Sequence, residues 1–267
     1  MGASPSPIRG THAPLRKTGS MSKNKPGILY EGPSQIDGKP VVVIATVGSK
    51  NSKTGNMVQT WILRSDLHPH EAWKTGEDAS ICGDCTHRGV MTEDGMAKRT
   101  CYVTWFGPMA VWKAYKAGSY SRLSPGEIRA LTKGELIRLG SYGDPAAVPF
   151  ELWEDITRYS KGHTGYTHQW RNCDKRFARL CMASADTIED RKAAQALGYR
   201  VFGIGDKKSK DEVVCPATTP AKLSCAECMA CGGLASKAKA NITIPLHGST
   251  SVISAARLRW GEGLQPT

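Results

Sequence analysis

The chain has 267 residues, 40% of them hydrophobic and 22% charged, with 36 Lys plus Arg against 24 Asp plus Glu and a formal net charge of +12. This composition excludes a wholly disordered or collagen-like chain, and no apolar run approaches the ~18 residues of a membrane helix, so a soluble protein with its own core is expected. A basic balance favours phosphate-rich partners when it is gathered on one face, but Arg9, Arg16, Lys17, Lys23 and Lys25 fall in an N-terminal stretch without acids, and the remaining excess is mild.

Residues 1–27 carry Pro5, Pro7, Pro14 and Pro26 among Ser, Gly, Thr and basic side chains and read as a disordered basic tail. Met21 opens Met-Ser-Lys-Asn-Lys and offers a second translational start. The β-branched run from Val41 to Ala45 and the segment Met57 to Leu63, joined by a polar loop, predict an N-terminal β-hairpin. The loop holds Gly48, Lys50, Lys53, Thr54 and Gly55 but lacks the G-x4-G-K-[ST] order of a phosphate loop, so no nucleotide site is expected there. Pro69 is placed to open a short helix.

From residue 101 to 204 strand-like and helix-like pieces alternate. Cys101 to Phe106 reads as extended and Met109 to Ala117 as helical, then Leu136 to Gly140 as a strand and the segment after Pro149 as a helix with Leu152, Trp153, Ile156 and Tyr159 on one face. Residues 163–170 predict another strand, as do Leu180 to Ser184 and Tyr199 to Ile204, these last two flanking a helix capped by Thr187 and stopped by Gly198. This alternation predicts an α/β fold with a partial or full parallel β/α barrel. One barrel-like domain over residues 28–250 is expected, with cysteine-rich metal-binding loops at 82–101 and 215–233 and a C-terminal tail at 251–267.

Nine cysteines, seven of them in two tight groups and with no secretory signal ahead of them, point to a reducing compartment, the cytoplasm, and to metal binding rather than disulfides. The first group is Cys82-Gly-Asp-Cys85-Thr-His87 with Cys101 beyond it. Three thiolates plus His87 would complete a zinc site, and three thiolates with an open fourth position would hold a [4Fe–4S] cluster. The second is Cys215 with Cys225-Ala-Glu-Cys228-Met-Ala-Cys231, a spacing that suits either a [4Fe–4S] cluster or zinc. Cys173 and Cys181 read as packing residues.

Polar groups recur at strand ends, where ligands bind in parallel α/β folds. Gly140, Tyr142, Gly143, Asp144 and Pro145 form a candidate cofactor-binding loop, Ser184 and Asp186 follow another strand, and His247-Gly248 follows the last. In His163-Thr-Gly-Tyr166-Thr-His168-Gln-Trp170, strand alternation would put Tyr166, His168 and Trp170 on one face, and with Asp144 the first two are the candidate catalytic groups. No nucleophile elbow, dinucleotide fingerprint or kinase signature is present.

The segments Gln59-Thr-Trp-Ile-Leu-Arg64, Ile81-Cys82-Gly-Asp-Cys85-Thr-His-Arg88, Leu139-Gly-Ser-Tyr-Gly-Asp-Pro145, His163 to Trp170 and Met182-Ala-Ser-Ala-Asp186 together resemble a family of phage and prophage proteins without an established activity. More distantly, the order of parts is similar to radical S-adenosylmethionine enzymes. In that resemblance Cys82, Cys85 and Cys101 match the cluster ligands, and Tyr142 to Pro145 match the loop that meets the methionyl amino group. The chain departs from it in spacing, C-x2-C-x15-C in place of C-x3-C-x2-C, and in carrying Asp144 where Glu is usual. The resemblance implies an iron–sulfur enzyme that uses S-adenosylmethionine on a nucleotide or nucleic-acid-related substrate in a host cytoplasm. The competing expectation is a non-catalytic, zinc-stabilised nucleic-acid-binding protein, read from the basic balance and from aromatics interleaved with cations at Trp112 to Lys116 and at Trp170-Arg171. Neither reading includes a membrane, and protein partners are not legible.

Overall fold

Local signals place most element boundaries in the computed structural model, which describes residues 25–89, 91–92, 95–96, 99–205 and 208–246. Residues 1–24 of the expected N-terminal tail, the whole expected tail at 251–267, the start at Met21 and the pair His247-Gly248 lie outside the described residues, while Gly27, expected in the tail, opens the first strand. Strands β1 (Gly27–Pro33), β2 (Pro40–Thr46) and β3 (Val58–Arg64) form an antiparallel ribbon, in which β2 and β3 are the expected hairpin and β1 is an added edge. Val41 to Ala45 are fully buried without alternation, as in a strand covered on both faces.

Two short helices follow, α1 (Pro69–Thr75), which opens on Pro69 as expected, and α2 (Ala79–Cys82), which ends on the first cysteine. A two-residue ribbon, β4 (Met91–Thr92) with β5 (Gly95–Met96), precedes α3 (Phe106–Lys116). Residues 101–105, expected to be extended, form no strand and lead directly into α3. Next come α4 (Pro125–Thr132), capped reciprocally by Ser124 and Glu127, then β6 (Leu136–Tyr142) and α5 (Phe150–Arg158). The chain continues through β7 (Gly162–Thr164), β8 (Tyr166–Thr167), α6 (Phe177–Leu180), β9 (Met182–Ser184) and α7 (Ile188–Ala196), where the Thr187 side chain accepts from the Asp190 amide. It ends with β10 (Val201–Ile204), β11 (Glu212–Val214), α8 (Cys225–Cys228) and β12 (Asn241–Ile244).

The strands form two five-stranded sheets, β1-β2-β3-β6-β7 and β11-β12-β10-β9-β8, parallel from β3 to β7 and parallel throughout the second. The mixed α/β class is as expected, but the sheets do not close into a full barrel. The reason lies in the segment expected as one strand over 163–170, which divides at Gly165. Residues before Gly165 pair with β6 and those after it with β9, while its own amide donates to the Cys231 carbonyl at 2.9 Å. A Cβ at Gly165 would lie 2.9 Å from Cys181 Sγ and 3.2 Å from Leu139 Cβ, so the crossing from one sheet to the other is packed for glycine.

The core runs between the first sheet and the helices around it. Trp153 is fully buried and donates from Nε1 to the Pro145 carbonyl at 2.7 Å, which fixes α5 against the chain leaving β6. In the second sheet the buried Arg191 guanidinium bridges Glu212 at 2.8 Å and the Ile204 carbonyl at 2.6 Å, locking α7 across β10 and β11. Among the described residues no helix is long and apolar enough to cross a membrane.

Gly165→Val inserts a branched side chain where a single Cβ already touches sulfur, and a loss of about 1–3 kcal/mol is expected in urea denaturation. His163 supplies a pH test. It is buried, its Nε2 donates to the Leu180 carbonyl at 3.1 Å, and burial lowers its pKa to about 4. Below its ordinary value near 6.5 the unfolded chain takes a proton that the folded chain refuses, so stability falls as pH drops from about 6.5 to 4 and this contribution levels off below that. Up to about 3 kcal/mol is at stake, and urea midpoints at pH 7, 5.5 and 4 should show a weaker acid loss in His163→Gln than in the parent.

Candidate metal centres

The first cysteine turn is held from behind by polar contacts. Ser34 Oγ donates to the Ser80 carbonyl at 2.6 Å, Ser80 Oγ donates to Asp37 at 2.7 Å, and Arg64 reaches both Ser80 Oγ and Glu77. Cys82 closes α2, and Gly83 turns the chain at φ 51°, where a Cβ would collide with the Gln169 amide. Gln169 Nε2 donates to the Cys82 carbonyl at 3.1 Å, and its Oε1 accepts from the Asp84 amide at 3.3 Å. This buried side chain clamps the turn between Cys82 and Cys85. The sequence assigned it no role, because only folding brings it to a turn more than eighty residues away.

Burial is the main cause that raises the thiol pKa values of Cys82, Cys85 and Cys101, with Cys85 pushed to about 12. The three lie near enough to disfavour one another's ionisation, and Asp78 adds to the effect at Cys82. Without a cation they are neutral thiols.

His87, expected as a fourth ligand to these cysteines, is engaged elsewhere. It is buried, with Nδ1 3.0 Å from Thr100 Oγ1 and Nε2 3.4 Å from Asp186, and its ring centre lies 5.8 Å from that of His168. His168 Nε2 is 3.7 Å from Cys85 Sγ. Burial alone would raise the Asp186 pKa, but His87, His168 and a 2.6 Å hydrogen bond from Thr86 hold it down to about 2. Ligand atoms of His87, His168 and Asp186 all lie within 4.8 Å of one another.

The candidate cofactor loop is closed on itself. Gly140 and Gly143 have φ of 64° and 79°, and Cβ atoms there would strike the Gly143 carbonyl and Ile62. Tyr142 and Pro145 are buried, and Pro145 begins a single 3-10 turn. Asp144 is buried too. Its Oδ1 accepts from the Ala146 amide at 2.9 Å and its Oδ2 from the His168 amide at 2.7 Å. Both oxygens thus accept from the backbone, with the Thr167 side chain also acting on the carboxylate, and Asp144 positions the backbone at His168. Ser184 is half-buried at the end of β9, and its carbonyl accepts from Trp170 Nε1 at 3.0 Å.

Tyr166 does not share a site with His168. It packs edge-on to Phe202 at 4.6 Å between ring centres and meets the Cys231 thiol. Strand β8 ends at Thr167, so the alternation expected to align Tyr166, His168 and Trp170 stops before His168. Trp170 is buried.

Around Tyr166 the second cysteine group takes shape. Cys215, Cys225, Cys228 and Cys231 line one small cleft with Thr164 and Tyr166. The helix α8 is docked onto the loop between β2 and β3, since the Cys225 amide donates to the Lys53 carbonyl at 2.9 Å and the Ala226 amide to the Thr54 carbonyl at 3.0 Å. The segment that has the composition of a phosphate loop thus serves as a backbone shelf for cysteine ligands. Two guanidiniums stand close by. Arg138 lies over the Tyr166 ring at 4.3 Å and acts on Cys225 and Cys231, and the buried Arg200 donates to the Ala230 and Gly233 carbonyls at 2.9 and 3.0 Å and to that of Ala240. Neither forms an ion pair with a carboxylate among the described residues, and Arg200 Nε is buried without a partner. Cys173 and Cys181 take the expected packing roles, the latter fully buried.

In the aromatic and basic stretches expected to serve nucleic acid, several side chains have partners within the chain, while Lys113, Lys116 and Arg171 are exposed. Trp112 Nε1 donates to the Arg64 carbonyl at 3.1 Å, Tyr115 donates to Glu31, and Arg171 lies over the Trp170 ring at 3.9 Å while pairing with Asp190. Compared with protein-family models, with curated proteins and with solved structures, the chain finds no match in any of the three.

Asp144→Ala strips the acceptors from two amides, those of Ala146 and His168. A loss of about 2–4 kcal/mol is expected, together with faster hydrogen exchange at the His168 amide than at the fully buried strand β2.

Proposed function

We propose that this protein is an iron–sulfur enzyme with two cysteine-held centres. Cys215, Cys225, Cys228 and Cys231 hold one [4Fe–4S] cluster, and Cys82, Cys85 and Cys101 hold a second with one iron open to a small ligand. The observation that carries this reading is the second cleft, which four cysteines line together and beside which two guanidiniums stand without carboxylate partners among the described residues. A thiolate-bound cluster is anionic, and such a charge belongs beside unpaired cations.

Three cysteines fit a cluster with one free iron, as the radical S-adenosylmethionine reading requires. Asp144 already accepts from two backbone amides, and no step is assigned to it. When bound, such clusters supply one-electron transfer, and S-adenosylmethionine on an open iron would supply radical chemistry. The chain's own contribution is positional. Gln169 fixes the first cysteine turn, Asp144 fixes the backbone at His168, and Arg138 and Arg200 offset negative charge at the second centre. The substrate class, a nucleotide or nucleic-acid-related molecule, rests on the resemblance to phage proteins. The unpaired thiols suit a reducing compartment, and the proposal places the protein in the cytoplasm.

Iron, sulfide and zinc analysis of protein purified without oxygen tests the reading. About eight iron and eight sulfide per chain are expected, with absorbance around 400 nm that bleaches on reduction. Cys228→Ser and Cys82→Ser should each remove about half. A colourless protein carrying only zinc would overturn the proposal.

A further inference from the structure

We propose that His87, His168 and Asp186 bind a mononuclear divalent metal, Fe2+ or Zn2+, beside the first cysteine group. This centre is distinct from both cysteine-held centres and does not depend on their being iron–sulfur clusters. Its three side chains come from separate places, the turn after Cys85, the end of β8 and the end of β9, yet their ligand atoms gather within 4.8 Å. Two imidazoles and one carboxylate are the set that suits Zn2+ or Fe2+ with positions left open.

The surroundings argue for a metal over an ordinary histidine–aspartate contact. A metal-bound imidazole has its other nitrogen held, and a metal-bound carboxylate is itself hydrogen-bonded. Here His87 Nδ1 is held by Thr100 Oγ1 at 3.0 Å, Asp186 accepts from Thr86 Oγ1 at 2.6 Å, and the backbone at His168 is held by Asp144 at 2.7 Å. The charge balance points the same way. Asp186 is 6% exposed, and no Lys or Arg within ion-pair distance of it is found among the described residues. A divalent cation between Asp186 and the two imidazoles supplies the missing charge.

Three protein ligands leave at least one position for water or for an oxygen of the substrate. The Cys85 sulfur, 3.7 Å from His168, brings that position next to the first cysteine group. A substrate phosphate or carboxylate bound to the metal would be held beside the proposed open iron, which gives Asp144 its function through His168.

The test is equilibrium dialysis of the anaerobically purified full-length protein against Zn2+ and, separately, Fe2+, with iron and sulfide counted in the same samples. One divalent site per chain is expected beyond any cluster iron, and the metal already present on purification tells Zn2+ from Fe2+ as its native occupant. Asp186→Asn and the half-buried His168→Ala should each weaken that site on the order of 100-fold, and Thr86→Val on the order of 10-fold, with sulfide content unchanged. His168→Ala keeps the test decisive should Asp186→Asn fail to fold. Parent-like affinity in both ligand variants, no extra site in the parent, or a site lost only in Cys85→Ser would overturn the proposal. A site that needs His168 and Asp186 in protein devoid of sulfide would sustain it while removing the cluster reading.

Discussion

A carboxylate out of water must have every oxygen satisfied, and at Asp144 that requirement organises the first site. Its two oxygens take the Ala146 and His168 amides, and its own amide donates to the Ile81 carbonyl at 2.6 Å. One residue thereby joins the chain leaving β6, the helix that carries Cys82 and the end of β8. Trp153 reinforces the junction through the neighbouring Pro145 carbonyl. Moving any of these segments would leave a charged group or an amide buried without a partner.

The second cysteine group is built on a different principle. Its sulfurs sit on short turns that have little core of their own, and the turns are positioned by backbone pairing to remote loops. The carbonyls of Lys53 and Thr54 receive α8, the Gly165 amide donates to the Cys231 carbonyl, and Arg200 gathers the carbonyls of Ala230, Gly233 and Ala240. Gly165 therefore has two duties. It lets the chain pass from one sheet to the other, and it seats the last cysteine at that passage. The two cysteine groups flank the same short segment, with Tyr166 meeting Cys231 of one and His168 meeting Cys85 of the other.

Polar residues that look alike in the chain acquire different partners once folded. Asp144 and Asp186 both follow parallel strands, yet only Asp186 has imidazoles for neighbours, whereas Asp144 is consumed by amides. Arg138 and Arg171 both cover aromatic rings, but Arg171 pairs with Asp190 whereas Arg138 has no carboxylate partner among the described residues.

Much of the frame was legible in the sequence because its signals are local. Apolar runs such as Val41 to Ala45, the Pro69 and Thr187 helix starts and the βα alternation from β6 onward depend only on near neighbours, and each gave its element. The grouping of the cysteines was legible for the same reason, since two residues three apart share one turn. Whether the strands would close was not, because that depends on the close packing at Gly165, where Cys181 and Leu139 come together from distant segments. Nor was the partner of His87 legible: spacing put it with the cysteines, and the tertiary structure put it against Asp186, ninety-nine residues away. Composition and short-range spacing determined that this is an α/β protein rich in metal-ligating side chains. Only long-range packing decided which of those side chains meet, because a ligand set is defined by distances across strands that the chain alone does not encode locally.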